Sequence, residues 1–338
     1  MNYLYNDEDA FKASTLTEAM NLIPNTYGRI NQLGVFSFKG INTRSVSIES
    51  KKGQLVLLQT KKWGEDGDQK ENEKRIVRSF SVPHIPHDSV LDAADFQDVR
   101  AFGQTSSLES MPRATAERLK EMKADHDITH EYMRMQCIKG KLYDGGGTLI
   151  YDWFKEFGIK QYTVEFDFSN ESFDVKAACR KVVRHIKDGL LGDIMDKPYV
   201  LVDAEFMDQL TNNTQVKEAY ERWNNGAALR DDNSKGFTFA GLTFEEYDAS
   251  VSLPGGTVKE FIETATGYGF PLGTRQTFRY YAAPANFNNA VNTIGLPYYA
   301  SAEPKKHNRG IDIHTQSNPL FMCLRPSTLV KLTIKAKS

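Results

Sequence analysis

Cysteine is scarce in this 338-residue chain. The three cysteines, Cys137, Cys179 and Cys323, are odd in number and widely separated. Disulfide-dependent domains carry dense, paired cysteines, and structural zinc sites need cysteines at close spacing. The sequence therefore excludes a disulfide framework and a cysteine-based zinc site. Cys137 and Cys179 fall on apolar helix faces, where we expect core residues instead of nucleophiles.

Long hydrophobic runs are also absent. Runs such as LVLL at 55–58 and YVLV at 199–202 are far shorter than the roughly 20 residues that cross a bilayer. The first residues, MNYLYNDEDAF, have neither a basic region nor an apolar stretch, so we expect no secretory signal. These absences, with the cysteine usage, favour a protein that is made in the cytoplasm.

An excess of positive charge is missing as well. The chain has 42 Lys and Arg against 44 Asp and Glu, a net charge of −2, which argues against a surface built to grip nucleic-acid phosphates. One short basic cluster, Lys305, Lys306, His307 and Arg309, is interpreted as a solvated loop. Apolar residues at 40% and charged residues at 25% are typical of a globular protein, and the length suggests two domains.

The common motifs of nucleotide and acyl chemistry are not found. No G-x-x-x-x-G-K-[ST] and no G-x-S-x-G occurs, and GYGFPLG at 267–273 has neither the spacing nor the following helix of a dinucleotide site. DDNSKG, from Asp231, begins like a calcium loop, but Lys235 and Leu242 occupy positions that need oxygen ligands. HIPH at 84–87 has two histidines without a third ligand.

The segment HDITHE at 126–131 is the one sequence that suggests a metal site. His126 and His130 lie one helical turn apart, as in zinc hydrolases of the H-E-x-x-H type. However, Asp127 stands where that motif has Glu, and residues 133–136 supply no further His. Both histidines also fall on an apolar stripe. We therefore favour a packing role and keep a metallohydrolase as a distant alternative.

A long helix is predicted from about residue 110 to residue 140, with Pro112 in its first turn. Two apolar stripes run along nearly opposite sides, and one of them contains His126 and His130. We place the charged residues on one edge between the stripes: Lys120, Lys123, Asp127, Glu131 and Arg134. A helix with two apolar stripes is expected to contact neighbours on both faces.

Residues 53–83 predict a long β-hairpin with a charged tip, GEDGDQKENE. A two-stranded hairpin is marginal in water unless it packs on another surface. Residues 1–50 likewise contain too few large apolar residues to form a core. Both segments therefore need partners outside themselves, and self-association through several weak contacts explains this best.

The remainder predicts alternating elements of both types. YTVEFDF, KPYVLV, GFTFAGLTFEEYDA and PLFMCLRPSTLVKLTIK predict strands, the last as two short strands joined by a Pro-Ser turn. SFDVKAACRKVVRHIKDGL and TQVKEAYERW predict amphipathic helices, and Asp203 is a candidate N-cap for a third. The expected fold class is α+β with two lobes.

In this order, the segments resemble the major capsid proteins of tailed phages, specifically the lambda-type branch, the phage capsid protein E family. STLTEAMNLIPNTYGRINQLGVFSFKG resembles that family's arm, and the helix ending MQCIKGKLYD resembles its spine helix. KPYVLVDAEFMDQL, FTFAGLTFEEYDA and NPLFMCLRPSTLVKLTIK resemble its later strands. The resemblance covers almost the whole chain and depends on the collinear order of segments.

The resemblance implies a structural protein without catalysis, cofactor or metal. It implies an N-terminal arm (1–50), an extended loop (51–83), a peripheral domain with the spine helix (84–169), an axial domain (170–295) and a return to the peripheral domain (296–338). It further implies hexamers and pentamers that form an icosahedral virion shell around double-stranded DNA, without sequence-specific binding.

The implied partners are other copies of the chain, a scaffolding protein, a portal and, as an optional partner, a decoration protein, with no membrane. Candidate contacts between subunits are Lys61, Lys62, Trp63, Glu65, Asp66, Lys70, Lys74, Arg75, His126 and His130. The alternative is an encapsulin-like or other phage assembly protein. If the two histidines lie at a contact, their protonation near pH 6 is expected to loosen it.

Overall fold

The computed structural model describes residues 13–25, 28–50, 76–96, 111–225, 236–252 and 258–335. The helices are α1 Ala13–Leu22, α2 Arg29–Gln32, α3 Met111–Ile138, α4 Trp153–Phe157, α5 Val175–Gly189, α6 Ala204–Asn212 and α7 Thr214–Asn225. Short 3-10 turns span Ala93–Phe96, Asn288–Ala290, Lys306–Asn308 and Pro326–Thr328. Among these described residues, no helix combines the length and the apolar character needed to cross a membrane.

The first nine strands are β1 Ser37–Gly40, β2 Ser45–Ser50, β3 Ile76–Ser81, β4 Ile85–Asp92, β5 Lys141–Tyr143, β6 Leu149–Asp152, β7 Tyr162–Phe166, β8 Lys197–Val202 and β9 Phe237–Phe239. The others are β10 Leu242–Glu246, β11 Ser250–Ser252, β12 Val258–Glu260, β13 Thr266–Leu272, β14 Phe278–Ala282, β15 Tyr299–Pro304, β16 Gly310–Ser317, β17 Pro319–Cys323 and β18 Val330–Ile334. This mixture of helices and sheets is the predicted α+β class.

A six-stranded mixed sheet, in the order β7-β18-β13-β8-β10-β9, forms one lobe. Its strand β8 alternates between two cores because successive side chains point to opposite faces. Val200 and Val202 pack on the side of helix α5, and Tyr199 and Leu201 pack on the side of helix α3. Cys179 of α5 is fully buried in the first of these cores, as expected for a helix face that covers a sheet.

The second lobe is built from two three-stranded sheets, β1-β14-β17 and β15-β16-β4, on which helix α3 lies. Helix α1 packs along β15 and buries Leu16 and Met20 against it. The two closing strands diverge: β17 pairs with β14 in this lobe, whereas β18 crosses to the six-stranded sheet. Strands predicted as neighbours across a Pro-Ser turn thus connect the two lobes.

Helix α3 spans almost the predicted residues but is buried differently from the prediction. Its first half, from Met111 to Thr129, still exposes one side to solvent, whereas residues 130–140 are buried all round. The predicted charged edge is interior: Lys123, Asp127, Glu131 and Arg134 are each at most 5% exposed. Only Lys120 of that set is solvent-exposed. The reason is that strands of three sheets pack against the helix: β17, β4 with β16, and β13.

Only the base of the predicted hairpin lies within the described residues. The return strand, β3, pairs with β2 from Ser45↔Ser81 to Ser50↔Ile76, although the sequence placed β2 in the preceding arm. The pairing starts earlier because the alternation of Val46 and Ile48 matches that of β3. Residues 51–75, which include the predicted tip, lie outside the described residues.

Gly140 ends helix α3 in a left-handed conformation (φ 85°), and a Cβ there would lie 2.0 Å from the Phe154 ring. We expect Gly140→Ala to lower the free energy of unfolding by about 3 kcal/mol, because strain and overpacking add. Gly158→Ala is the matched control: its φ is 66° with nothing within 4 Å, so only about 1 kcal/mol is lost. Chemical denaturation of the unassembled chain measures both, and equal losses would contradict the packing argument.

Candidate functional site: a buried polar seam on the long helix

Six polar side chains form a continuous row on α3, which we call the polar seam: Lys123, His126, Asp127, His130, Glu131 and Arg134. They recur at spacings of three and four residues, so they share one side of the helix. His130 and Glu131 are 0% exposed. Charged and polar groups at such depth are costly unless each finds partners, so their contacts determine what the seam does.

The two histidines connect the helix to strand β16. His126 Nε2 lies 3.1 Å from the Thr315 hydroxyl, and His126 Nδ1 lies 3.0 Å from the Ser317 hydroxyl. His130 Nε2 is 3.0 Å from the same Ser317 oxygen. Hydroxyls both donate and accept, so this arrangement satisfies neutral imidazoles. Both rings are therefore interior residues held within their own chain.

Asp127 faces a different group from the one that a zinc hydrolase requires. Its carboxylate accepts from Lys123 Nζ at 2.6 Å and from the Tyr298 hydroxyl. The Tyr298 ring stacks on His130 with centroids 5.2 Å apart, and Lys123 Nζ lies 4.7 Å from the centre of the same ring. The buried charge of Asp127 is thus balanced inside the seam.

The metal hypothesis finds no complete ligand set. Within the described ranges, no group of three or more His, Cys, Asp or Glu side chains is placed to hold a metal ion. The rings of His126 and His130 are tilted by 57° to one another, and their nitrogens are engaged by hydroxyls. The segment HDITHE is a packing element that joins a helix to a sheet.

Burial lowers the pKa of both histidines because the charged imidazolium loses its hydration. The pKa of His126 falls to about 3, mainly through burial, and electrostatic interactions with His87, His314 and Lys123 lower it further. The pKa of His130 falls well below its ordinary value through burial and through Arg134. The expected titration near pH 6 is thereby corrected: at that pH both rings are neutral in the folded chain.

Glu131 binds the N-terminal segment that contains helix α2. Its carboxylate accepts the backbone N–H of Ile30 at 2.6 Å and of Asn31 at 3.2 Å, at the start of helix α2. The Tyr247 hydroxyl donates a third bond at 3.0 Å. Gly28 precedes α2 with φ 98°, and a Cβ there would lie 2.4 Å from Glu131 Cδ. The chain can approach this closely only because residue 28 is glycine.

The charge of Glu131 has one cation beside it. Arg134 lies 3.3 Å from the carboxylate, with its guanidinium 5.0 Å from the centre of the Phe321 ring. Burial raises the pKa of the Glu131 carboxyl above its ordinary value, whereas Arg134 and the three donors oppose that shift. A buried pair of this kind tolerates the loss of neither partner.

A second carboxylate holds the same segment from the other lobe. Arg29 donates to the Glu245 carboxylate of β10 from Nε at 2.6 Å and from Nη2 at 3.2 Å. The Tyr199 hydroxyl donates to the same carboxylate. Glu245 is 2% exposed. The segment around α2 therefore joins helix α3 to the six-stranded sheet. Arg29 and Glu245 could not be recognised from the sequence, because isolated charges far apart in the chain carry no spacing signal.

The structure describes two of the ten predicted contact residues. His126 and His130 lie in the seam, where Thr315, Ser317 and Tyr298 occupy the space that a neighbouring subunit was expected to fill. The other eight lie outside the described residues: Lys61, Lys62, Trp63, Glu65, Asp66, Lys70, Lys74 and Arg75.

Comparison with known proteins gives a context for this architecture. Residues 12–334 match the family described as phage major capsid protein E. The chain belongs to this family. The match includes the polar seam, both lobes and the β2–β3 pair, so the family assignment applies to nearly all that the structure describes.

Two related proteins align with almost the whole of this chain. The major capsid protein of Pseudomonas phage KPP10 is 27% identical over 345 residues, covering 96% of this chain and 97% of the relative. The major capsid protein of Salmonella phage Felix O1 is 27% identical over 365 residues, covering 98% of each. The family resemblance inferred from the order of segments is confirmed.

Solved structures confirm the fold class. The putative capsid protein of a prophage from E. coli CFT073 is similar with a TM-score of 0.54 at 15% identity, covering 78% of this chain and 80% of that one. The capsid of Ralstonia phage GP4 has a TM-score of 0.52 at 9% identity, covering 90% and 88%. As a member of the capsid protein E family, the chain is a structural protein of the phage head shell and a component of the virion.

The seam makes Glu131 the most sensitive single position. We expect Glu131→Gln to lower the free energy of unfolding by about 3 kcal/mol, because the substitution leaves Arg134 buried without an opposite charge. Adding Arg134→Met should recover part of that loss, since it removes the orphaned cation. Denaturant titration of the unassembled chain measures the double-mutant cycle, and purely additive losses would contradict the proposed coupling.

The histidines predict a pH dependence of stability. Their folded-state pKa values are depressed, so below pH 6.5 the unfolded chain binds protons that the folded chain does not, and stability falls as pH falls. Between pH 6.5 and pH 5 we expect His126 to contribute a loss of about 2 kcal/mol, and His130 to add a loss of the same sign. His126→Gln should remove one such contribution. An unchanged slope in that variant would show that His126 is not buried as a neutral ring.

Proposed function

We propose that copies of the chain associate in rings of six and five to close an icosahedral head shell around double-stranded DNA. Membership of the capsid protein E family supports the shell-forming role, and the ring composition is our proposal. A scaffolding protein and a portal are proposed partners during assembly, and a decoration protein is a possible later one. The net charge of −2 suits a container from which the genome must leave.

The division into domains carries over to this proposal. Strand β4 pairs along its whole length with β16, which supports a single peripheral domain made from residues 84–169 and 296–338. The proposed axial domain, residues 170–295, supplies strands β8, β9, β10 and β13 of the six-stranded sheet. Strands β7 and β18 complete that sheet from the peripheral segments, so the boundary between the two proposed domains runs through one hydrogen-bonded sheet.

The observation that carries the proposal is the ribbon formed by β2 and β3. Among the described strands these two pair only with each other. One face of the ribbon is anchored, because Phe80 packs edge-on against Tyr151 and Trp153, and Tyr151 donates to the Ser81 carbonyl at 3.0 Å. Val77 on β3 is 59% exposed. A ribbon of two strands is marginally stable alone, so we expect its exposed face to pack against a neighbouring subunit.

Exposed apolar side chains on the body also favour association. Leu22 is 75% exposed and Ile294 is 70% exposed, and both line a largely apolar cavity of about 500 Å³ between α1 and the 287–299 segment. Monomeric proteins rarely leave such groups together in water. Subunits of a shell cover them when they pack.

The test shortens the proposed extended loop (51–83). Residues 51–75, which follow β2 and precede β3, are removed, and Ser50 is joined to Ile76 through Asn-Gly. This dipeptide suits a two-residue hairpin between strands that already pair at those ends. We expect the variant to fold with unchanged thermal stability but to form no shells in negative-stain microscopy and gradient sedimentation. The wild-type chain under the same conditions is the control.

Two results separate the proposed role of the loop from the proposed self-assembly. Shells of normal size from the shortened chain would contradict the proposed role of the loop. A wild-type chain that stays monomeric, even when it is expressed with its scaffolding protein, would contradict the proposed self-assembly.

A further inference from the structure

The turn between β15 and β16 displays the basic cluster of the sequence. Lys305, Lys306, His307 and Arg309 lie within five consecutive residues, and residues 306–309 are solvent-exposed. The turn lies at the end of the β15-β16-β4 sheet, beyond the last paired residues Pro304 and Ile311, and beside the 3-10 turn Ala93–Phe96. It is thus an exposed, positively charged point on a chain whose net charge is −2.

The backbone of this turn is rigid and strained. His307 and Asn308 both adopt left-handed conformations, with φ of 63° and 54°, which glycine would occupy at lower cost. Backbone bonds from Lys305 N to the Gly310 carbonyl and from Ala93 N to the Arg309 carbonyl, each 2.9 Å, fix its two sides. Side chains presented from such a frame lose little backbone entropy when they bind a partner.

The charges of the turn are only partly neutralised. Lys305 Nζ pairs with Asp92 at 2.7 Å. For Lys306 and Arg309, no carboxylate lies within ion-pair distance among the side chains that the structure describes. Lys306 and Arg309 are thus two exposed cations, three residues apart, that favour association with an acidic segment.

The chain itself contains a segment of that kind. Residues 65–73, EDGDQKENE, hold five carboxylates and one lysine, and they lie outside the described residues. We infer that the β15–β16 turn is the docking point for residues 65–73 of a second copy of this chain. The inference rests on the proposed function, because it assumes that the loop 51–83 reaches a neighbouring subunit, and it names the surface that the loop would meet.

Packaged nucleic acid is a less suitable occupant of the turn. Glu303 and Asp312 lie directly opposite one another on β15 and β16, both exposed, and Asp92 lies beside Lys305. A nucleic-acid surface needs a broad positive area, and these carboxylates would repel phosphates. A loop that carries both signs, as 65–75 does with Lys70, Lys74 and Arg75, can match such a mixed surface.

The first experiment reverses the charges of the turn with Lys306→Glu/Arg309→Glu. Assembly of the purified full chain is followed by light scattering and microscopy. We expect the protein concentration for half-assembly to rise about tenfold, as for the loss of a few surface ion pairs plus new repulsion. Lys176→Glu/Lys181→Glu on exposed positions of α5 is the control of equal charge change and should assemble as wild type. Lys306→Gln/Arg309→Gln, with a smaller effect, covers the case in which the reversed turn disturbs folding.

The second experiment tests the partner by exchanging charges. Glu71→Lys/Glu73→Lys alone should impair assembly, and combining it with Lys306→Glu/Arg309→Glu in one chain should restore it. An equal mixture of the chain with the reversed turn and the chain with the reversed loop should recover assembly in part. Rings of six can alternate the two chains so that each turn meets an oppositely charged loop, whereas a ring of five keeps at least one like-charged contact. Recovery in the combined chain with no recovery at all in the mixture would place the contact within one chain and overturn the inference.

The remaining outcomes are also decisive. Assembly of Lys306→Glu/Arg309→Glu at the wild-type concentration would overturn the inference while leaving the proposed shell intact. Normal empty shells that package less DNA would assign the turn to nucleic acid instead. Failure of the wild-type chain to assemble would count against the proposed function itself.

Discussion

The interaction on which the structure depends most is the buried carboxylate of Glu131 on helix α3. An ionised carboxylate at this depth is tolerable only when donors and a cation surround it. Two backbone amides of α2, the Tyr247 hydroxyl and Arg134 meet that demand together. Because those groups come from the N-terminal segment, the region after β10 and the helix itself, a single charge fixes the relative position of three parts of the chain.

The neighbouring seam residues extend this constraint along the helix. His126 and His130 fix α3 to β16 through hydroxyls, and Asp127 fixes it to Tyr298. Hydrogen bonds are directional, so a polar seam specifies one register of helix on sheet where a purely apolar face would allow sliding. A shell subunit benefits from such a body. In the proposed rings of six and five, the seam would keep the same helix-on-sheet register in both environments.

Much of this arrangement could be predicted from the sequence, and the exceptions have physical causes. The bounds of α3 and α5 follow from helical periodicity, and Asp203 is the N-cap of α6 as predicted, accepting from Phe206 N. The burial of the charged seam residues was not predicted, because a charged stripe on a helix is normally exposed. Only the covering sheets, whose strands come from residues 85–92 and 299–323, reverse that expectation, and their approach is not encoded locally. The β2–β3 register was displaced for a similar reason, since its partners are separated by residues 51–75.

Native-state hydrogen exchange at the amides of Ile30 and Asn31 tests the central role of Glu131 most directly. If the carboxylate holds α2 against α3, both amides exchange only through global unfolding, with the same free energy of opening as the core amides of α3 between 130 and 138. Exchange of Ile30 and Asn31 orders of magnitude faster than that of those core amides would show that the segment opens independently, and would contradict the account.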